Sequence, residues 1–329
     1  MALTSDQIKQ QSQNAYAQWK DKWRKHAEIN SKYEMKTLEE FENSGVGMAC
    51  LAVGNGYSLE AEIETIKKYK GNVDIIACDK SLGALLDNGI VPKFCMVCDA
   101  SIDTARYLEP YKDKIKDIIL FSNVCANPEW SGYEWKDRFF FVVEDVLGSQ
   151  EEFSRISGCK NVIPAGTNVG NSLVIMLSQS NNKGRRNFFG YDKILLIGFD
   201  FCWKREGSYY AFNKAGDGKS NYMRHIWARN LRGDLVWTSN NLAFSAQWLQ
   251  QYINSFKLPV VQCSKDSVLS IKNVAALESQ MKYSFKREDA KTVIETARKL
   301  REVIDLRKKI EAELTVIGMS HYRQFLATT

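Results

Sequence analysis

Several things are scarce in this chain, and each shortage rules something out. Among its 329 residues there are only three histidines, His26, His225 and His321. They lie too far apart to read as a metal-ligand cluster. No window approaches ~18 uninterrupted apolar residues, so no membrane span is expected. The opening residues, Met1 to Gln7, lack a basic region followed by an apolar stretch. No signal peptide is therefore expected, and the cytoplasm is the expected address. Repeats and low-complexity segments are absent. The eight cysteines do not form a disulfide frame, since Cys50, Cys78, Cys95, Cys98 and Cys125 sit inside apolar runs. That pattern predicts buried free thiols in a reducing compartment. Cys95 and Cys98 have CxxC spacing but no partner pair, so no metal site is expected there.

Charge of one sign is not dominant either. The net charge of +6 is compatible with a polyanionic partner without requiring one. The excess gathers in two places. Over residues 203–237, Lys204, Arg205, Lys214, Lys219, Arg224, Arg229 and Arg232 face only Glu206, Asp217 and Asp234. A second basic stretch covers residues 282–309.

What remains is an ordinary globular composition, 44% hydrophobic and 26% charged, long enough to bury a core without staples. Residues 4 to about 43 are polar, without Pro or Gly, and read as one or two helices forming an N-terminal arm (residues 1–45). The centre, residues 46–275, alternates apolar strands with amphipathic helices. Strands are predicted at 48–53, 73–78, 94–98, 117–123, 139–144, 193–199 and 259–263, and helices near 59–70, 80–88, 169–180 and 241–256. This alternation predicts an α/β, Rossmann-like, mostly parallel sheet with helices on both faces. Ligands in such sheets bind beyond the carboxyl ends of the strands. Residues 276–329 read as a C-terminal extension built on one long charged helix. Its apolar stripe, Val293, Ala297, Leu300 and Ile304, packs on its own domain or makes a homo-oligomer contact.

Four stretches could carry chemistry. Gly54-Asn55-Gly56-Tyr57-Ser58 follows the first core strand. Its glycines allow positive φ and close ligand approach, Asn55 offers an amide, and Ser58 could cap the following helix. The plain alternative is a strand-to-helix turn. Asp79, Asp99 and Asp200 stand at predicted strand ends, suited to ribose hydroxyls, a divalent cation or a base role. Gly166-Thr167-Asn168 opens a helix and makes a second anion cradle, or simply a cap. Phe199 to Trp203 runs on to Tyr209 and Tyr210, whose hydroxyls could serve a departing phosphate or pack as a lid.

Together these stretches resemble the motility accessory factor and MptE-like (6-hydroxymethylpterin pyrophosphokinase-like) family, related to the bacterial sialyltransferases of glycosyltransferase family 42. The resemblance rests on Leu51 to Leu59, Ala77 to Lys80, Leu85 to Pro92 leading to Cys98-Asp99, Gly166 to Gly170 and Gly190 to Asp200, and covers roughly residues 48–265. It implies a glycosyltransferase that moves a sugar from a CMP- or UDP-type nucleotide-sugar to a hydroxyl acceptor, with Mg²⁺ admitted but not required. Gly54, Asn55, Gly56, Ser58, Asp79, Asp99, Thr167 and Asn168 would hold the nucleotide. Tyr210 would steady the leaving phosphate, and Asp200 or His225 would activate the acceptor. The acceptor would be a protein or a glycan. The basic, aromatic stretch with Trp203, Arg205, Arg224 and Arg229 also admits a nucleic-acid base, although a solvated basic loop is the plainer reading. The sequence departs from the family in three places. Cys202 stands where one tyrosine is expected, residues 235–241 lack the histidine base, and Tyr57 replaces the usual proline of the turn. Two alternatives follow, an ATP-dependent pterin-alcohol diphosphokinase and a non-catalytic nucleotide-binding protein.

Overall fold

The structure is a computed structural model describing residues 4–145, 147–164, 167–178, 188–203, 210–213 and 225–285, with 302, 303 and 306. Met1–Phe285 forms one compact unit and Lys286–Thr329 a second. The C-terminal stripe from Val293 to Ile304 lies outside the described residues.

Eight parallel strands make the central sheet: β1 (Ala49–Val53), β2 (Asp74–Cys78), β3 (Phe94–Val97), β4 (Ile119–Asn123), β5 (Asp137–Glu144), β6 (Val162–Pro164), β7 (Lys193–Ile197) and β10 (Val260–Gln262). Their order across the sheet is β10-β7-β1-β2-β3-β4-β5-β6. The chain builds outward from β1 in one direction, then crosses back to place β7 on the other side. The reversal falls between β1 and β7, which is where an open α/β sheet leaves a crevice.

Strands β1 and β2 are buried along their whole length, as expected of a sheet covered on both faces. Alternate residues serve opposite faces. Leu51, Val53, Ile75 and Ala77 enter one apolar core, and Cys50, Ala52, Ile76 and Cys78 enter the other. Aromatic rings thicken the second core, where Phe41, Phe94, Phe121, Phe139 and Phe189 meet at centroid distances of 4.8–5.8 Å. All eight cysteines are free thiols, and only Cys98 is more than slightly exposed. Burial pushes Cys50, Cys78 and Cys95 well above an ordinary thiol.

Helices α2 (Ser58–Tyr69), α3 (Leu82–Asp87), α4 (Thr104–Tyr107), α5 (Pro128–Gly132), α6 (Ser149–Ser157), α7 (Val169–Leu177), α8 (Asn240–Phe256) and α9 (Leu277–Lys282) connect and cover the strands. The N-terminal arm is a single helix, α1 (Ser5–Asn30), started by a capping box between Thr4 and Gln7. It is packed into the body. The Tyr16 hydroxyl donates to Glu152 at 2.6 Å, and Asn30 Nδ2 donates to the carbonyls of Val124 and Ala126. No helix among the described residues is long and apolar enough to cross a membrane.

The basic stretch differs from its expectation as a loop. Residues His225–Arg229 (β8) and Leu235–Ser239 (β9) pair as an antiparallel hairpin, with Trp227 stacked on Trp237 at 3.8 Å. In Leu235–Ser239 burial alternates, with Val236 and Thr238 inward, but the residue types do not, so the strand carries no period-2 signal in the sequence.

Candidate nucleotide site at the carboxyl ends of the strands

A cavity of about 980 Å³ opens at the carboxyl end of the sheet. Loops leaving β1, β2, β3, β5, β6 and β7 reach its wall, through Asn55, Asp79, Asp99, Asp145, Thr167 and Gly198 among others. This is the edge that the strand order selects.

The glycine turn after β1 works differently from its expectation. Neither Gly54 nor Gly56 has positive φ. A Cβ on Gly54 would lie 2.4 Å from the Gly198 carbonyl oxygen, and one on Gly56 would lie 2.3 Å from Asp200 Oδ2. The glycines are needed because the loops after β1 and β7 touch backbone to backbone. Gly198, at φ +71°, provides the other side of that contact.

Ser58 does not cap α2. It is the first residue of the helix, and its hydroxyl donates to Asp200 Oδ1 at 2.6 Å while accepting from the Gly198 amide at 3.1 Å. Asp200 Oδ2 also accepts from the Ser58 amide at 2.8 Å. Asp200 is fully buried. Its carboxylate accepts from the first amide and the first hydroxyl of α2 and ties β7 to β1; buried there and not lining the cavity, it is not presented to an acceptor as a general base would be. Tyr57 is likewise inward, buried, with its hydroxyl donating to the Asp266 carbonyl at 3.1 Å. Cys202, in the place of the expected tyrosine, packs beside it.

Three side chains keep polar groups at the cavity. Asn55 is 9% exposed, and neither its Oδ1 nor its Nδ2 has a partner among the described residues. Asp79 is 3% exposed; its Oδ1 accepts from the Lys80 amide at 2.7 Å, while Oδ2 has no partner among the described residues. Burial raises Asp79 to about 6 against the pull of Lys80. A folded protein seldom leaves buried polar atoms unmatched unless a ligand or water completes them. Lys80 was not singled out from the sequence. Burial opposes its charge, but Tyr210, Asp79, Asp99 and Tyr107 hold the ammonium above an ordinary lysine. Its Nζ lies 3.9 Å from Asp99 Oδ2 and 5.6 Å from the Tyr210 ring centroid. The signal for it was its position two residues beyond β2, directly after Asp79.

The remaining expectations divide. Asp99 lines the cavity, and its Oδ1 accepts from the Ser101 amide at 2.7 Å. Thr167 and Asn168 line it too, but their side chains are engaged. Thr167 donates to Ser245 at 2.8 Å, and Asn168 caps α7 by accepting from the Asn171 amide at 2.9 Å. Trp203 is 4% exposed and joins the core of Tyr57, Cys202 and Val236, which leaves no ring face for an acceptor. Arg229 lies on the hairpin, donating to the Gly233 carbonyl at 2.7 Å, and does not line the cavity. The backbone of His225 pairs with Ser239 at the start of β8. Arg205, Tyr209, Arg224 and Gly166 lie outside the described residues. Among the described residues, no group of three or more His, Cys, Asp or Glu comes together as a metal-ligating set.

The family model described as 6-hydroxymethylpterin diphosphokinase MptE-like matches residues 23–206, more than half of the chain. The chain belongs to the MptE-like family. The match begins within α1, so the second half of the helical arm is part of what this MptE-like chain shares with its family, beyond the span read from motifs alone. Among solved structures, the MAf glycosyltransferase from Magnetospirillum magneticum AMB-1 matches with a TM-score of 0.59 at 17% identity. The match covers 83% of the MptE-like chain and 40% of that enzyme's, and it shows a shared fold. No curated protein matches the chain.

Proposed function

We propose that this MptE-like protein is a glycosyltransferase that uses a nucleotide-activated sugar. The observation that carries the proposal is the cluster of Asn55, Asp79 and Lys80: two buried side chains with unmatched polar atoms beside a lysine held in its charged form. Asn55 can donate to and accept from one ligand, and Asp79 Oδ2 can accept from a ribose hydroxyl, the task acids after an early strand perform in nucleotide folds. Lys80 stands ready for phosphate, and Tyr210 beside it can donate a hydrogen bond as negative charge gathers on the leaving group. The shared fold with a MAf glycosyltransferase supports this choice of chemistry.

In the transfer step an acceptor hydroxyl oxygen bonds to the anomeric carbon, and the bond from that carbon to the phosphate oxygen breaks. The bonding pair leaves on the phosphate. The hydroxyl proton passes to a carboxylate, for which Asp99, with a side chain 42% exposed at the cavity, is our candidate in place of Asp200. The donor base and sugar follow from a thermal-shift screen of CMP, UDP, GDP, ADP and their sugar conjugates, since a ligand stabilises in proportion to its excess over Kd. One nucleotide-sugar should raise Tm, and Lys80→Ala should reduce the shift. No shift with any of them would end the proposal.

A second reading, diphosphoryl transfer from ATP to a pterin alcohol, is favoured by the family description. Asp79 Oδ2 and Asp99 would then share a divalent cation bridging phosphates. AMP release from ATP that requires Mg²⁺ and the pterin would select it. Nucleotide release from a nucleotide-sugar in EDTA would select the transferase.

A further inference from the structure

The cavity is larger than its polar corner. At about 980 Å³ it reaches the top of the ~300–1,000 Å³ range of small-molecule sites. Its two ends differ in chemistry. Near β1–β3 lie Asn55, Asp79 and Lys80, whereas the far end is lined by Ile8, Ala15, Trp23, Val142, Val143 and Phe153, with Gln11, Ser12, Glu144, Asp145 and Ser149 as its polar rim. Helix α1 forms one wall of that end. Its cavity-lining residues Ile8, Gln11, Ser12 and Ala15 recur at i, i+3, i+4 and i+7, which is one helical face. Ile8, Ser12 and Ala15 are only half-buried, so this face is not filled by the protein's own core. The part of α1 that follows this face is tied to the body. Trp23 meets Phe153 edge-on at 6.1 Å, Tyr16 bonds Glu152, and Asn30 is tied to the loop after β4.

We propose that this far end is an acceptor subsite for an apolar, ring- or chain-bearing small molecule, with α1 as its selecting wall. The role as acceptor subsite rests on the transferase reading above; the apolar chamber itself does not. The acceptor's hydroxyl points toward the Lys80 corner and its apolar body lies against Ile8 and Ala15. Continuity of one cavity between the charged corner and the apolar chamber carries the assignment.

The probe is 2-naphthol, a small apolar ring with one hydroxyl, titrated into the full chain and followed by its own fluorescence. Saturable binding is expected, and Ala15→Trp, which fills the chamber, should raise Kd at least tenfold. Ile8→Lys, which places a charge in it from the half-buried side of α1, should do the same. Under the same conditions, affinity for the nucleotide found in the thermal-shift screen should stay within twofold. Absence of saturable naphthol binding, or one Kd shared by the wild type and both variants, would overturn the proposal. Loss of naphthol binding in Ala15→Trp together with intact nucleotide binding in Lys80→Ala would uphold the chamber while removing the transferase reading.

Discussion

The loops that leave β1 and β2 face the same cavity and treat it in opposite ways. After β1, Gly54 and Gly56 turn toward the protein, against the Gly198 carbonyl and the Asp200 carboxylate. After β2, Asp79 keeps an unmatched oxygen and Lys80 keeps its charge at the cavity. Asn55, set between the two glycines, sides with the second loop, since both of its amide atoms lack partners among the described residues. A glycine turn on the first strand of an α/β sheet can therefore report how closely neighbouring loops pack. The ligand is reported by the polar side chains that folding leaves unsatisfied.

The sharpest way to break this contrast is Gly56→Val. Its Cβ would sit 2.3 Å from Asp200 Oδ2 and 2.8 Å from the Gly198 carbonyl, so the loops must separate and the Ser58–Asp200 clamp must open. A loss of about 3 kcal/mol or more is expected, read as a lower urea midpoint. A variant as stable as the wild type, defective only in binding, would restore the glycines to the ligand.

Next is Asp79→Asn. Burial raises this carboxyl to about 6, against ~3.9 in an unfolded chain. Between those values the folded state keeps a proton that the unfolded chain has released, so stability falls as pH rises through that window and stays lower above it. At ~1.4 kcal/mol per pKa unit, the cost at pH 8 is at most about 3 kcal/mol. Asp79→Asn should recover part of it at pH 8 and none below pH 4, as denaturation at the two pH values would reveal. A destabilised variant at pH 8 would show that the charged form is matched within the protein.

Lys80→Ala should leave the melting temperature nearly unchanged and weaken nucleotide binding roughly 10- to 100-fold, the size of one charge-assisted hydrogen bond at about 1.5–3 kcal/mol. Calorimetric titration measures it. Smallest of all is Arg229→Ala, which removes a contact to an exposed hairpin turn. It should change stability by no more than about 0.5 kcal/mol and leave nucleotide affinity alone.

The sequence conveyed the sheet well because continuous apolar runs such as Cys50 to Val53 are what a strand buried on both faces requires. Strand β6, with three residues, and the β8–β9 hairpin, hidden in a stretch that looked merely basic, were too short or too mixed to read. The site was legible by position rather than by role. Asn55, Asp79, Asp99 and Tyr210 do reach the cavity, because loops after parallel strands share one edge. Asp200 and Ser58 bond each other, and Trp203 enters a core, because pairing between loops distant in sequence decides whether a polar or aromatic group is free. Lys80 escaped notice because a lysine after a strand looks like any solvated charge until Asp99, Tyr107 and Tyr210 gather around it.

The central claim is tested most directly by a crystal structure of the protein with the nucleotide that gives the largest thermal shift. The account predicts the Asn55 amide, Asp79 Oδ2 and Lys80 Nζ within hydrogen-bond distance of the ligand, and the phosphate on Lys80. A nucleotide bound elsewhere, with Asn55 and Asp79 touching only water, would contradict it.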